Sequence, residues 1–253
     1  MQSTQRFYIL TGASRGLGRS LARALLKPGI ELLCLSRGRD EGLEDAAAAA
    51  GGVATQWQVD LAQPAAVAGR LQAWLTERGP DGLELVALVN NAALLEQPGP
   101  IESQSPQAIE AGLAVGLLAP MLLSRALLLG SAGWELDRRL LNISSGLGRR
   151  PLAGVATYCA VKAGLDHFTR TLAEEQQGQA WPLKAVSLAP GIIDTGMQVQ
   201  LRGSDARHFA AQPVFENLHH SGVLDSPEAA AAKLVAWLHL PDFGHEAVAD
   251  IRD

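Results

Sequence analysis

Tyr158 and Lys162 lie four residues apart in Ala156-Thr157-Tyr158-Cys159-Ala160-Val161-Lys162, and Ser145 precedes the Tyr by thirteen positions. On a helix, positions i and i+4 share a face, so an ammonium would stand beside a phenol. That combination suits proton transfer to or from an oxygen. A free phenol, with a pKa near ~10, is a poor acid or base at neutral pH. Lowering it by roughly 3 units takes about 4 kcal/mol of preference for phenolate, which a cation in a partly desolvated cleft can supply. A serine hydroxyl can then hydrogen-bond the reacting oxygen. Tyr-x-x-x-Lys is also an ordinary surface pair, so the surrounding chain has to decide between the two.

The elements that must position these groups alternate along the chain. Strands are expected near Phe7–Thr11, Glu31–Ser36, Val53–Val59, Leu85–Asn90, Arg139–Ile143, Leu183–Leu188 and Ala247–Asp250. Helices are expected near Leu17–Lys27, Leu43–Ala50, Pro64–Arg78, Pro106–Leu129, Thr157–Gln177 and Ser226–His239. Strict alternation predicts an α/β fold: a Rossmann-type, doubly wound parallel sheet of about seven strands with helices on both faces. No repeat or linker divides residues 1–253, so a single domain is expected. The stretch from Gly196 to Gly222 breaks the alternation. A loop-rich insertion of that length reads either as a lid over a substrate or as a surface excursion.

After the first strand, Thr11-Gly12-Ala13-Ser14-Arg15-Gly16-Leu17-Gly18 opens a helix. Glycines in such a turn let the backbone approach a pyrophosphate, while the helix N-terminus offers free N–H groups and partial positive charge. Gly12, Ser14, Arg15, Gly16, Leu17 and Gly18 are therefore expected to bind a dinucleotide. The second strand ends Cys34-Leu35-Ser36-Arg37. An acidic residue at this tip would accept the ribose hydroxyls and repel a 2′-phosphate, whereas Arg37 and Arg15 offer cationic donors, so NADP(H) is expected over NAD. The alternative is that both arginines are solvated surface charges.

A net charge of -5 without a Lys/Arg cluster argues against nucleic acid or an anionic membrane as partner, and points to a small molecule. The four-residue apolar run Phe7–Leu10 is too short for a signal-peptide core, and Leu113–Leu129 is interrupted by Gly116, Pro120, Ser124 and Arg125. Two cysteines, Cys34 and Cys159, suit neither a disulfide framework nor a zinc site, so a reducing cytoplasm is expected. His208, His219 and His220 lack ligand spacing, and no metal is expected. Trp181, Met197, Phe209 and Phe215 are candidates to wall an apolar substrate pocket, or else ordinary core.

Taken in order, Thr11-Gly12-x3-Gly16-x-Gly18, Asp60, Asn90-Asn91-Ala92, Ser145, Tyr158-x3-Lys162 and Pro190-Gly191-x3-Thr195 resemble the short-chain dehydrogenase/reductase family over essentially the whole chain. Asn142-Ile143-Ser144-Ser145-Gly146, Tyr158-Cys159, Lys162-Ala163-Gly164-Leu165-Asp166 and Pro190 to Gln198 resemble its branch of sepiapterin and benzil (diketone) reductases. The resemblance implies that Asp60 contacts the adenine and that Asn90 holds the sheet edge and the adenine ribose side. It places Pro190 and Gly191 against the coenzyme, with Thr195 and the Ile193 backbone orienting the nicotinamide carboxamide. Lys162 would bind the nicotinamide ribose while tuning Tyr158. Ser145, not Ser144, would polarise a carbonyl, and Tyr158 would donate the proton as hydride arrives from NADPH. Met197 and Asp250 are the substrate-side candidates, Asp250 as the anchor of a pterin amino group.

The resemblance thus implies NADPH-dependent reduction of a ketone or diketone. It also implies a homodimer or homotetramer formed through the helices at Pro106–Leu129 and Thr157–Gln177. One position departs from the pattern: where the family carries a relay Asn, this chain has Gly116, which lacks the side chain that fixes a helix irregularity. That departure leaves a second reading, a catalytically impaired NADP(H)-binding regulatory protein.

Overall fold

A computed structural model describes residues 5–253. Seven strands form one parallel sheet: β1 (Arg6–Thr11), β2 (Ile30–Ser36), β3 (Val53–Gln58), β4 (Leu85–Asn90), β5 (Asp137–Ile143), β6 (Leu183–Ala189) and β7 (Val248–Asp250). Their order is β3-β2-β1-β4-β5-β6-β7. The order reverses between β1 and β4, and ligands of such sheets bind outside the strands' carboxyl ends at that switch point.

Strand side chains alternate between faces, and both faces here are buried. In β1, Tyr8 and Leu10 face one side while Phe7 and Ile9 face the other. The first side is covered by α1 (Gly16–Leu25), α2 (Leu43–Ala49) and α9 (Pro227–Leu238), through Leu21, Leu25, Ala47 and Leu234. The second is covered by α3 (Pro64–Arg78), α5 (Ala119–Gly130) and α6 (Ala156–Gln176), through Leu71, Leu75, Leu123, Leu127 and Leu172, while α4 (Pro106–Leu113) packs against α6. Each fully buried Leu contributes about 1.5–3 kcal/mol by leaving water.

Two differences from the sequence expectation bear on the site. The single helix expected over Pro106–Leu129 is split by a five-residue π turn, Ala114–Leu118, in which Ala119 N–H bonds the Ala114 carbonyl. Gly116 sits at its centre, so the irregularity forms without the Asn side chain. Pro106–Gly130 as a whole is long and apolar enough to cross a membrane, but half of its most apolar window is buried, with α5 packed against α3 and the π turn against α6. Second, the stretch from Gly196 to Gly222 is not mainly loop. It folds into α7 (Gly196–Arg202) and α8 (Gln212–His220), two short helices below the length at which periodicity is informative.

Candidate active site

The first βα turn is shaped by close backbone contact. Gly12 takes φ +72, and its N–H bonds the Leu35 carbonyl at 2.8 Å. A Cβ at Gly18 would lie only 2.0 Å from the Gly12 carbonyl oxygen, so glycine alone lets α1 pack against the turn. Asn91 clamps this turn from just past β4: its Nδ2 donates to Thr11 O at 2.9 Å and Gly12 O at 3.4 Å, while Thr11 Oγ1 accepts from the Asn91 and Ala92 N–H groups at 3.0 Å. Asn90 points inward instead, donating to Asn142 Oδ1 at 2.8 Å, so its side chain links the interior strands β4 and β5.

Helices α4 and α9 are capped by Ser105 and Ser226, whereas α1 begins at Arg15 without a side-chain cap. Its first N–H groups are left for another acceptor. Arg15 and Arg37 are exposed and make no ion pair among the described residues. Arg19 and Arg23, by contrast, both close on Asp40, at 3.0 and 2.9 Å. Burial would raise the Asp40 carboxyl, but the two guanidinium groups hold it below its ordinary pKa. Asp40 is thereby engaged, and Ser36 Oγ is turned to the Gly38 carbonyl. Ser14 approaches the same tip and Leu17 is buried beneath it. Exposed Asp60 folds back to accept the Ala62 N–H at 3.0 Å.

Across the sheet's carboxyl end, Pro190 and Gly191 (φ +80) follow β6, and Ile193 pairs with Asp225 as an isolated bridge. Thr195 lies opposite the Gly-rich turn, its Cγ2 4.0 Å from a Cβ placed on Gly16. These two segments make the walls of a slot over the switch point.

Beyond the slot, β5 ends and Ser145 caps a 3-10 turn, Gly146–Gly148, its Oγ accepting the Leu147 N–H at 3.2 Å. Tyr158 and Lys162 rise from the first turns of α6. Lys162 is 3% exposed; its Nζ donates to the Ile143 carbonyl at 2.7 Å and lies 5.5 Å from the Tyr158 ring centre. The three predicted residues are thus brought together, but one expectation is corrected. Tyr158 is not tuned downward: burial pushes it up to about 12, opposed by the Ser145 hydroxyl and reinforced by Cys159 and Glu96. Lys162 is itself pushed down to about 8 by burial, against the pull of Asp166. The ammonium is committed to a backbone carbonyl rather than to the phenol oxygen, and desolvation outweighs it.

A third, small apolar cluster lies above Tyr158. Fully buried Phe209 stacks on Phe215 with centroids 5.7 Å apart and packs with Val155 and Leu201. Gly154 makes room for it, since a Cβ there would be 2.7 Å from Phe209 Cδ2. Half-buried Met197 lies on α7, which is tied down by Gln200 Nε2 donating to the Leu95 and Glu96 carbonyls at 3.2 and 3.1 Å. Trp181 does not belong to this wall: it is 46% exposed and precedes β6 at the opposite, amino end of the sheet. Asp250 is held by Arg252 at 2.7 and 2.6 Å and borders a cleft of about 190 Å³ with Gly146, Arg149, Arg150 and Asp253. His208, His219 and His220 are exposed, and the described residues include no group of three or more His, Cys, Asp or Glu placed to hold a metal ion.

Sequence reasoning missed Asn91 as a clamp and gave no role to Glu96 or Asp166. Glu96 Oε1 is buried without a hydrogen-bond partner, in space that Gly112 leaves open. Burial raises its pKa, and its charge is felt at Tyr158. In sequence both acids look like surface residues; only the packing distinguishes them.

The model of the family described as short chain dehydrogenase matches residues 6–206. The chain is 31% identical over 238 residues to the benzil reductase ((S)-benzoin forming) of Bacillus cereus, covering 94% of this chain and 96% of that one. It is 32% identical over 262 residues to the sepiapterin reductase of Meriones unguiculatus, covering 97% and 95%. Among solved structures, a short-chain dehydrogenase/reductase from Burkholderia vietnamiensis matches with TM-score 0.67 and 33% identity over 99% of both chains. A metagenomic short-chain oxidoreductase in complex with NADP matches with TM-score 0.73 and 26% identity, over 98% and 96%.

Proposed function

The chain belongs to the short chain dehydrogenase family, an oxidoreductase family, and on that premise we propose that it reduces a ketone or diketone carbonyl to the alcohol with NADPH. The observation that carries this reading is the convergence of Ser145, Tyr158 and Lys162 at the end of β5, beside the tightly packed Gly12–Gly18 turn at the sheet's switch point. The benzil and sepiapterin reductases among its relatives support the substrate class.

The residues fit the coenzyme. Gly12, Gly16 and Gly18, with the uncapped start of α1, would take the pyrophosphate. Arg15 and Arg37 would take the 2′-phosphate, which the engaged Asp40 does not repel; the relative with NADP supports that choice. Thr195 and the Ile193 backbone would hold the carboxamide. When bound, the coenzyme supplies the hydride.

The chain's own residues do the rest. Ser145 would donate a hydrogen bond to the carbonyl oxygen, where negative charge develops during reduction. Tyr158 gives the same oxygen its proton. A phenol kept protonated by burial is in the form a donor needs. An ammonium has three N–H donors, and Lys162 commits one to Ile143 O, leaving two for the ribose hydroxyls and its charge for the phenolate left behind. The Phe209 cluster with Met197 forms the apolar roof. The reading includes a homodimer or homotetramer, supported by exposed Leu113, Leu118, Met121 and Leu129 along α4 and α5. Free Cys34 and Cys159 suit a reducing cytoplasm.

NADPH oxidation against benzil, sepiapterin, aryl ketones, sugars and steroids, with NADH as control, tests this. Turnover of an aromatic or cyclic ketone is expected. Coenzyme binding with no turnover across the panel would overturn the enzymatic reading, and faster oxidation of NADH would overturn the roles of Arg15 and Arg37.

A further inference from the structure

Asp166 lies on α6 one turn beyond Lys162 and is 2% exposed. A carboxylate taken this far out of water is unfavourable unless its charge and lone pairs are used. Here they are used on three segments. Its Oδ1 accepts the Ser144 hydroxyl at 2.5 Å and the Ser187 hydroxyl at 2.6 Å, gripping the end of β5 and the middle of β6. Its Oδ2 has no hydrogen-bond partner but faces Arg149 Nε at 3.6 Å, and Arg149 follows the 3-10 turn that Ser145 begins. That turn rests directly on α6. A Cβ at Gly148 would lie 2.9 Å from the Lys162 carbonyl and 3.0 Å from Asp166 Oδ2.

Ser145 is therefore bracketed on both sides by groups that end on one carboxylate: Ser144 immediately before it, Arg149 just after its turn. The other ties between this segment and α6 are Lys162 Nζ on the Ile143 carbonyl and the contact of Ser145 with Tyr158 itself. We infer that Asp166 is a positioning residue, which fixes Ser145 against Tyr158 by anchoring Ser144 and the Gly146–Gly148 turn to α6 and which sustains the charge of Lys162. Its kinetic consequence rests on the carbonyl-reductase reading; its structural consequence does not.

The electrostatic part has few contributors. Facing Lys162 from α6 are Tyr158 and Asp166; from β5 comes the uncharged Ile143 carbonyl; from the turn, Gly148, with Arg149 beyond Asp166; from β6, the uncharged Ser187; from the π turn, Gly116 against the neighbouring Val161. Asp250, on β7, is occupied by Arg252. Asp166 is the one anion whose charge raises the Lys162 pKa.

The test compares Asp166→Asn, which keeps an acceptor for both serines but loses the charge, with Asp166→Ala, which loses both. Amide exchange of the 144–150 segment and the pH profile of kcat/KM are measured, with NADPH affinity by fluorescence titration. Asp166→Ala is expected to exchange faster in that segment and to lose on the order of 10²-fold in kcat, as a misplaced catalytic group does, with NADPH affinity little changed. Asp166→Asn is expected to keep near-native exchange while its alkaline limb moves to lower pH. Native exchange and kcat in Asp166→Ala, or an unmoved limb in Asp166→Asn, would overturn the inference. Should Asp166→Ala not fold, Ser144→Ala removes one tether alone; faster exchange with lowered kcat supports the role, and native behaviour in both overturns it. If the wild-type chain reduces no carbonyl, the functional reading fails, and the exchange measurement still decides whether Asp166 anchors the turn.

Discussion

In the coenzyme half of the slot, a Cβ added at Gly18 would lie 2.0 Å from the Gly12 carbonyl oxygen; in the catalytic half, one added at Gly116 would lie 2.5 Å from Val161 Cγ1. The first obstacle is backbone and the second is the end of a side chain. Around Gly12 and Gly18 the chain itself is the proposed binding surface, so its shape is set by residues without side chains, and Asn91 pins that shape from just past β4. Around Lys162 the working surface is made of side chains, and Gly112, Gly116 and Gly148 let neighbouring elements come close enough to bury them. The coenzyme half is rigid by geometry. The catalytic half is held by buried polar groups: Asn90 to Asn142 to Thr169, Ser144 and Ser187 to Asp166, Lys162 to Ile143.

Three substitutions and a titration would break or sharpen this contrast. The largest effect is expected from Tyr158→Phe, which removes the proposed proton donor and little else. Positioned acid catalysis is worth ~10² to ~10⁴ in rate, so kcat should fall by that factor while NADPH affinity and Tm stay near wild type. A loss confined to a few fold would take Tyr158 out of the chemistry. Gly18→Ala should act on the other half. Overpacking against a carbonyl that has nowhere to go costs about 1–3 kcal/mol of stability. Distortion of the phosphate turn should also raise the Kd for NADPH on the order of tenfold, about 1.4 kcal/mol of binding. Calorimetry and fluorescence titration read the two effects separately; unchanged affinity would mean that the turn is not the phosphate site.

A pH titration probes the catalytic half without altering it. Lys162 is lowered by burial from its ordinary 10.5 to about 8, so its ammonium is present below that pH and lost above it. Reduction should therefore be sustained at neutral pH and decline as pH rises through about 8. Stability should not follow. Between about 8 and 10.5 the unfolded chain binds a proton at this Lys that the folded chain does not, so the contribution of Lys162 to stability rises with pH in that window. Activity falling at constant or rising Tm would identify the titration of a buried cation. Parallel loss of both would point to alkaline unfolding.

The parts readable in sequence were those whose signal is local. Strand alternation such as Phe7 to Leu10, the Gly12 to Gly18 turn, and the caps Ser226-Pro227 carry their structural meaning within a few residues. So did the spacing of Ser145, Tyr158 and Lys162, whose convergence the fold supplies. The sense of the Tyr158 shift was not readable, because a cation four residues away is visible in sequence while desolvation by Val155, Phe209 and their neighbours is not. Glu96 and Asp166 were passed over for the same reason: charge is usually a sign of exposure, and only tertiary packing buries it. Helices α7 and α8 were hidden by shortness, with Phe209 between them anchored by Gly154, fifty-five residues earlier.

Gly116 offers the finest test, since sequence comparison made it a missing side chain and the structure makes it a contact. The π turn over Ala114–Leu118 forms around Gly116. What the glycine allows is the approach of Val161, which is 3% exposed and immediately precedes Lys162. An Asn introduced there must displace Val161 Cγ1, so Gly116→Asn should lose about 1–3 kcal/mol of stability, with kcat reduced because Lys162 moves with its neighbour. The obstacle is a side-chain methyl and not a backbone atom, so Gly116→Asn combined with Val161→Ala should recover much of the stability, as contacting pairs do when their substitutions are coupled. Gly18→Ala should have no such partner. If Gly116→Asn alone were as stable and as active as wild type, the two kinds of glycine would not differ in the way their neighbours suggest.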